Sequence, residues 1–385
     1  MSQLPTSSQY NMRTWLTFLV PSLIGLFLFM TPIPIADGMT IPIALMAKAI
    51  KEGISSVMIE LLTFIICVTG VLSLLAKVVK PSFIKKSFIL KHLFDVNWLW
   101  LGIRLLGMLF IVLTFISQTG ADVSSALPAF LLPVFNAITS ADTGGLVLND
   151  LLPILFSVFV LAGLLLPLLL NMRPLFGVPG RSAVDCAASW LGDGSVGILM
   201  TARQYEEKHY TEREAAIIGT TFSAVSITFS LVVIEQVGLE SHFAPFYLTV
   251  CLAGVVAAII VPRLPPLRFK KDSFIDGSKR DEHAESVPSG KTLFGHSLDV
   301  ALAKAHRSPG FKGTLKEGLH NAFDMVFAVL PVVMAVGTFA LIIATYTPVF
   351  QYLGMPFIPF LELLRIPEAE LASQTIMVGF ADMFI

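Results

Sequence analysis

Between Pro174 and Met200 the charged residues are Arg181, Asp185 and Asp193. Arg181 and Asp185 stand one helical turn apart, a spacing that lets them pair with each other or grip one polar ligand together. An intrahelical ion pair at the cytoplasmic surface is the competing reading. Asp193 lies between Gly192 and Gly194 and just before Ser195, where a helix is easily broken. Free backbone amides at such a break suit anionic or polar ligand atoms; a plain interfacial turn competes. Asp382, after Gly379-Phe380-Ala381, repeats the arrangement near the end of the chain.

Hydroxyls at Thr220, Thr221, Ser223, Ser226, Thr228 and Ser230 run along one apolar segment. They serve helix packing or, if they line a cavity, meet ribose hydroxyls or a coupling ion. Glu235 ends that segment and faces water. Arg104 sits near the start of its helix, within snorkelling reach of the interface, and is read as structural. Glu60 is expected deeper, partnered by Lys48, Lys51 or a cavity. Asp37 and Asp142 each follow an apolar piece with glycine nearby, as an outer gate or a turn. The seven histidines show no metal-ligand spacing, and the three cysteines are dispersed in or beside apolar segments. No phosphate loop, nucleophile elbow, zinc-protease motif or dinucleotide fingerprint is present, so neither an enzyme nor a bound cofactor is expected.

The elements that must position these groups are membrane helices. Of 385 residues, 55% are apolar and only 14% charged, with mean hydropathy +0.79; soluble domains carry about 25% charge. The net charge of −1 gives no footprint for nucleic acid. A bilayer core needs roughly 20 apolar residues as helix. Seven stretches approach that length: Trp15–Pro34, Ser55–Ala76, Trp98–Ile116, Leu151–Met172, Ala215–Ile234, Pro245–Pro262 and Met325–Tyr346. The first is read as a retained helix rather than a signal peptide. Shorter pieces at Ala126–Ile138, Ser182–Met200, Pro356–Leu364 and Ser373–Ile385 are interrupted by Pro, Gly or Asp and read as interfacial or re-entrant.

Charge distribution orients the set. Lys77, Lys80, Lys85, Lys86 and Lys91 place the loop 77–95 inside, and 117–150, with three Asp and no Lys or Arg, outside. Arg263–His320, with eleven Lys and Arg against seven Asp and Glu, belongs inside and reads as a flexible cytoplasmic connector. Seven crossings from a cytoplasmic N-terminus satisfy all three loops.

Leu152-Pro153-Ile154 opens one apolar helix and Leu330-Pro331-Val332 another; each is followed by a Pro-rich turn and a Gly/Asp break. The two helices run in opposite senses, which makes an inverted repeat, an architecture that places a binding site between broken helices at the midplane; chance similarity of apolar helices competes. The expected division is 1–145, an N-terminal transmembrane region; 146–262, the first repeat; 263–320, the connector; and 321–385, a second, truncated repeat. The chain stops at Ile385 within an apolar run, and a further helix is expected beyond it.

Phe176-Gly177-Val178-Pro179-Gly180-Arg181-Ser182, Ser189-Trp190-Leu191-Gly192, Arg203-Gln204-Tyr205-Glu206-Glu207 and Tyr210-Thr211-Glu212-Arg213-Glu214 resemble the bacterial YjiH-type proteins. Pro367-Glu368-Ala369-Glu370-Leu371-Ala372 and Val378-Gly379-Phe380-Ala381-Asp382-Met383 carry the same resemblance. Those proteins hold the nucleoside-recognition or Gate domain, shared with membrane domains of ferrous-iron and concentrative nucleoside transporters. The resemblance implies an all-α integral membrane protein, a polytopic helical bundle with inverted repeats and broken or re-entrant helices, in the inner membrane of a bacterium. It implies a transporter-like protein for a small polar solute, nucleoside-like, with Na⁺ or H⁺ as coupling cation and a possible homo-oligomer. The substrate-binding set expected is Arg181, Asp185, Trp190, Asp193, Ser195, Thr220, Ser223, Gln374 and Asp382. The lipid bilayer and the solute are the further partners expected, and nucleic acid is excluded. A scaffold or regulatory subunit that transports nothing is the alternative.

Overall fold

The structure, a computed structural model, describes residues 10–31, 33–35, 38–40, 42–120, 127–170, 204–222, 242–279 and 310–379, with short pieces at 198, 201–202, 230, 233–234, 237–239, 298–299, 302–303 and 306. The described chain is helical apart from one antiparallel hairpin, β1 (Ile33–Ile35) and β2 (Gly38–Thr40). In chain order the helices are α1 (Met12–Met30), α2 (Pro42–Gly53), α3 (Met58–Val78), α4 (Ser82–Lys86), α5 (Phe88–Phe94), α6 (Trp98–Gln118) and α7 (Leu132–Thr139). They continue with α8 (Gly144–Leu146), α9 (Leu152–Leu170), α10 (Glu212–Ile217), α11 (Phe243–Ile260), α12 (Gly310–Tyr346), α13 (Val349–Gly354), α14 (Ile358–Leu363) and α15 (Ala369–Val378).

Among the described residues, five helical stretches are long and apolar enough to cross a membrane: Ser55–Val78, Trp98–Gln118, Leu132–Leu161, Pro245–Arg263 and Lys312–Tyr346. Hydrocarbon offers no partner for backbone polar groups, so apolar runs of this length close their own hydrogen bonds as helix. Asn97 starts α6 by accepting from the Trp100 amide at 2.9 Å, and Asn11 caps α1 the same way through Thr14 at 3.0 Å. The crossing expected at Ala215–Ile234 is described only in part: α10 passes into a π-helical turn at Ile218–Phe222.

The chain divides into two compact units. In the first, residues 1–46 and 161–322, Phe18 packs against Leu302, with Tyr10, Trp15 and Leu298 around them. Gly318 of α12 lies against the Leu164 carbonyl of α9, where a Cβ would not fit. The start of α10 carries a reciprocal cap between Thr211 and Glu214. Lys270 reaches Glu212 at 3.0 Å, Lys208 reaches Asp276 at 2.7 Å, and the amides of Glu212 and Arg213 donate to the carbonyls of Ser273 and Lys271. The stretch 263–320, read from composition as a free connector, therefore departs from that reading in its described parts. Residues 267–276 fold back on α10, Leu302 is fully buried, and α12 already begins at Gly310. Mixed charge and small residues look like a linker, but here the charges find opposite partners.

The second unit, residues 47–160 and 323–385, is built on α3 against α6 and on the C-terminal part of α12. Gly107 of α6 lies directly against the Pro331 carbonyl of α12. At Gly337, further along α12, an added Cβ would stand 3.4 Å from Val147. Glycine at the Gly107 crossing lets the backbones approach as a larger residue would not. Pro331 lies inside the 37-residue α12, not at the opening of a helix, and Pro153 likewise lies within a helical run that begins at Gly144. A proline within a membrane helix is tolerated because neighbouring groups satisfy the freed backbone.

Candidate functional site

Seven of the nine expected substrate residues, Arg181, Asp185, Trp190, Asp193, Ser195, Ser223 and Asp382, lie outside the described residues. The two that are described belong to different units. Thr220 sits in the π turn after α10, exposed, with its hydroxyl donating to the Ala216 carbonyl at 2.6 Å. Gln374 is half-buried on α15. Its neighbour Ser373 is buried, donates to the Glu370 carbonyl at 2.7 Å, and packs its backbone against Gly354 of α13.

The described feature with the most to offer chemically is a break in the most enclosed span. Of its most apolar window in Leu132–Leu161, 78% is buried, against 50% or less in the other four. The helix stops at Thr139 and resumes at Gly144. Within the gap the Ser140 carbonyl accepts from the amides of Thr143 at 3.2 Å and Gly145 at 2.9 Å. The Ser140 hydroxyl accepts from the Asp142 amide at 3.2 Å. Thr143 is buried and donates to the Ala137 carbonyl at 2.6 Å. Gly144 fits against the Ile138 carbonyl and 2.7 Å from Thr114 Oγ1 of α6, measured from where a Cβ would stand. Any side chain there would collide with backbone, so the turn can close only on glycine. A π-helical turn, Val147–Leu151, follows at once; such turns concentrate at functional sites.

Asp142 leaves this turn exposed, so the break presents a carboxylate and several polar groups at one end of a buried helix. The sequence shows the ingredients, Ser140-Ala141-Asp142-Thr143-Gly144-Gly145, but not that the apolar pieces on either side join into one interrupted span, Leu132–Leu161.

Arg104 is 4% exposed. One of its terminal nitrogens donates to Leu93 O at 2.7 Å and to Ser73 Oγ at 3.0 Å. The structural role expected for it holds, but by direct bonding rather than by reaching water. Glu60 differs from expectation: it stands exposed in the first turn of α3, where a helix N-terminus favours a carboxylate. Among the described residues no three of His, Cys, Asp or Glu gather closely enough to hold a metal ion.

An uncharacterized protein of Alkalihalophilus pseudofirmus is 45% identical over 384 residues, covering 96% of this chain and 80% of the relative. The chain belongs to that protein's family. No family model matches the chain, and no solved structure matches it. Membership in this family brings no activity with it, so the chemistry rests on the residues themselves.

Proposed function

We propose that this chain is a transporter-like protein of a bacterial inner membrane, with its N-terminus inside, that binds or moves a small polar solute. The interrupted span at Ser140–Thr143 carries the reading. Non-helical backbone at membrane depth is tolerated only where protein buries it or it lines a watery cavity, and transporters use such breaks to offer backbone groups to solute and ion. The resemblance to YjiH-type proteins makes the solute nucleoside-like and Na⁺ or H⁺ the coupling cation. The re-entrant reading of Ser182–Met200 and the inverted repeat belong to the same proposal, with Asp193 and Asp382 at the two matching breaks.

A second reading, a non-transporting scaffold or regulatory subunit, is favoured by one specific observation. In the second unit the buried hydroxyls of Thr69, Thr114, Thr143 and Ser157 each donate to a backbone carbonyl within a few residues. Their donors are engaged in holding helices rather than facing a cavity.

Thermal-shift measurements on the purified full-length protein across nucleosides, nucleobases, Na⁺ and pH separate the two. Stabilisation by one solute class, lost in Asp193→Ala and in Asp382→Ala, is expected for the transporter. A folded protein that no candidate stabilises would shift the assignment to the scaffold.

A further inference from the structure

The end of the second unit formed by α3, α4, α5 and the start of α6 contains a hollow of about 640 Å³. Its base is apolar: Ala76 and Ile84 belong to a buried cluster with Leu93 and Phe94. Its polar lining consists of Lys77, Lys80, Lys91 and Asp95, an excess of two positive charges, beside the indole of Trp98. Lys77 stands 5.6 Å above the Trp98 ring and 3.7 Å from Asp95, so Asp95 offsets one lysine and leaves two.

The backbone at Lys80 adds an independent observation. Helix α3 ends with the Lys80 amide donating to the Leu75 carbonyl, and Lys80 itself has φ 53°. This left-handed position after a helix is the one glycine usually fills. A lysine here costs about 1 kcal/mol of backbone strain, and its side chain lines the hollow. The negative end of the α3 dipole accounts for one nearby cation. It does not account for three around one hollow.

We infer that this hollow is a binding site for the phosphate headgroup of an anionic phospholipid. Position favours lipid over a soluble phosphate. Trp98 and Trp100 are 68% and 45% exposed at the start of a membrane-length helix, beside Leu99 at 69%. Indoles gather at the headgroup level of a bilayer, and basic pockets at helix ends take anionic headgroups. An apolar base under a cationic rim matches the boundary between acyl chain and phosphate. The site is separate from the interrupted span and does not depend on the transporter reading.

Native mass spectrometry of the full-length protein in detergent tests this with phosphatidylglycerol, phosphatidylcholine and inorganic phosphate as probes. Phosphatidylglycerol is expected to be retained in preference to phosphatidylcholine, and Lys80→Gln/Lys91→Gln to weaken it roughly 30-fold, the effect of two lysines near an anionic surface. Lys271→Gln, in the other unit, is expected to leave it unchanged. Equal retention of both lipids, or unaltered phosphatidylglycerol binding in the double variant, would overturn the site; displacement of the lipid by millimolar phosphate would overturn its lipid character. Should the double variant not fold, amine acetylation of the wild-type protein gives the same decision. Phosphatidylglycerol should protect Lys80 and Lys91 and not Lys271, and equal labelling with and without lipid would reject the proposal.

Discussion

Arg104 donates to the Leu93 carbonyl at 2.7 Å from a position 4% exposed to solvent, so a charge on α6 supplies a partner for the last turn of α5. With Ser73 as second acceptor, one guanidinium fastens three helices. Charged hydrogen bonds of this kind contribute about 1.5–3 kcal/mol. Arg104→Leu is expected to lower stability in detergent by about 2–3 kcal/mol in chemical denaturation, and Ser73→Ala by about 1 kcal/mol. Equal, negligible losses in both would show that the network holds nothing.

The glycines of the second unit sort by what a methyl group would meet. At Gly107 and Gly144 it would strike backbone carbonyls that cannot turn aside, whereas at Gly337 it would make ordinary contact with Val147 at 3.4 Å. Gly107→Ala and Gly144→Ala are each expected to cost about 1–3 kcal/mol or to abolish folded yield. Gly337→Ala should be close to neutral in melting temperature. A ranking with Gly337→Ala worst would contradict these approaches.

Thr143 anchors the interrupted span through its bond to the Ala137 carbonyl at 2.6 Å. Thr143→Val keeps the shape and removes the donor, leaving a buried carbonyl short of a partner at about 1–3 kcal/mol. Thr143→Ser should retain most of the stability. Thermal unfolding of the two variants beside the wild type checks this directly.

Asp276 is held below the ordinary carboxylate range, first by its hydrogen bond from Lys208 and then by those from Ser278. A carboxyl depressed in the folded state stabilises at every pH above its unfolded value, about 3.9, and loses that contribution as pH falls through the folded value. Asp276→Asn is therefore expected to speed amide exchange across residues 273–279 at pH 7. The difference from wild type should shrink as the medium is acidified below about pH 4 and weaken in high salt. Identical exchange at pH 7 would mean that this exposed pair adds nothing.

Long apolar helices such as Trp98–Ile116 were legible from composition because such a run has one structural solution in hydrocarbon. The structure lengthens it by only two residues, to Gln118. In the described part of Arg263–His320, local composition does not reveal that Lys270 and Asp276 meet Glu212 and Lys208. Pro331 misled for a related reason: proline marks a helix start in water, but α12 carries it in mid-helix against Gly107. The hollow around Lys80 escaped notice because its lysines read as a topology signal. Only the fold shows that three of them surround one space. Of the expected site residues, Thr220 lies in the π turn after α10 and Gln374 on α15.

The approach of Gly107 to Pro331 also sets an order of events on the ribosome. The first piece of the second unit is finished at Val160, but its second piece begins only at Phe323, within α12. At ordinary elongation rates, α3, α6 and the broken span wait on the order of ten to thirty seconds for the helix that fills their groove. During that interval the glycine faces of α6 and the interrupted span lie open to lipid or to the insertion machinery. Biogenesis of this protein should thus be sensitive to membrane chaperones and to anything that slows translation between those two points.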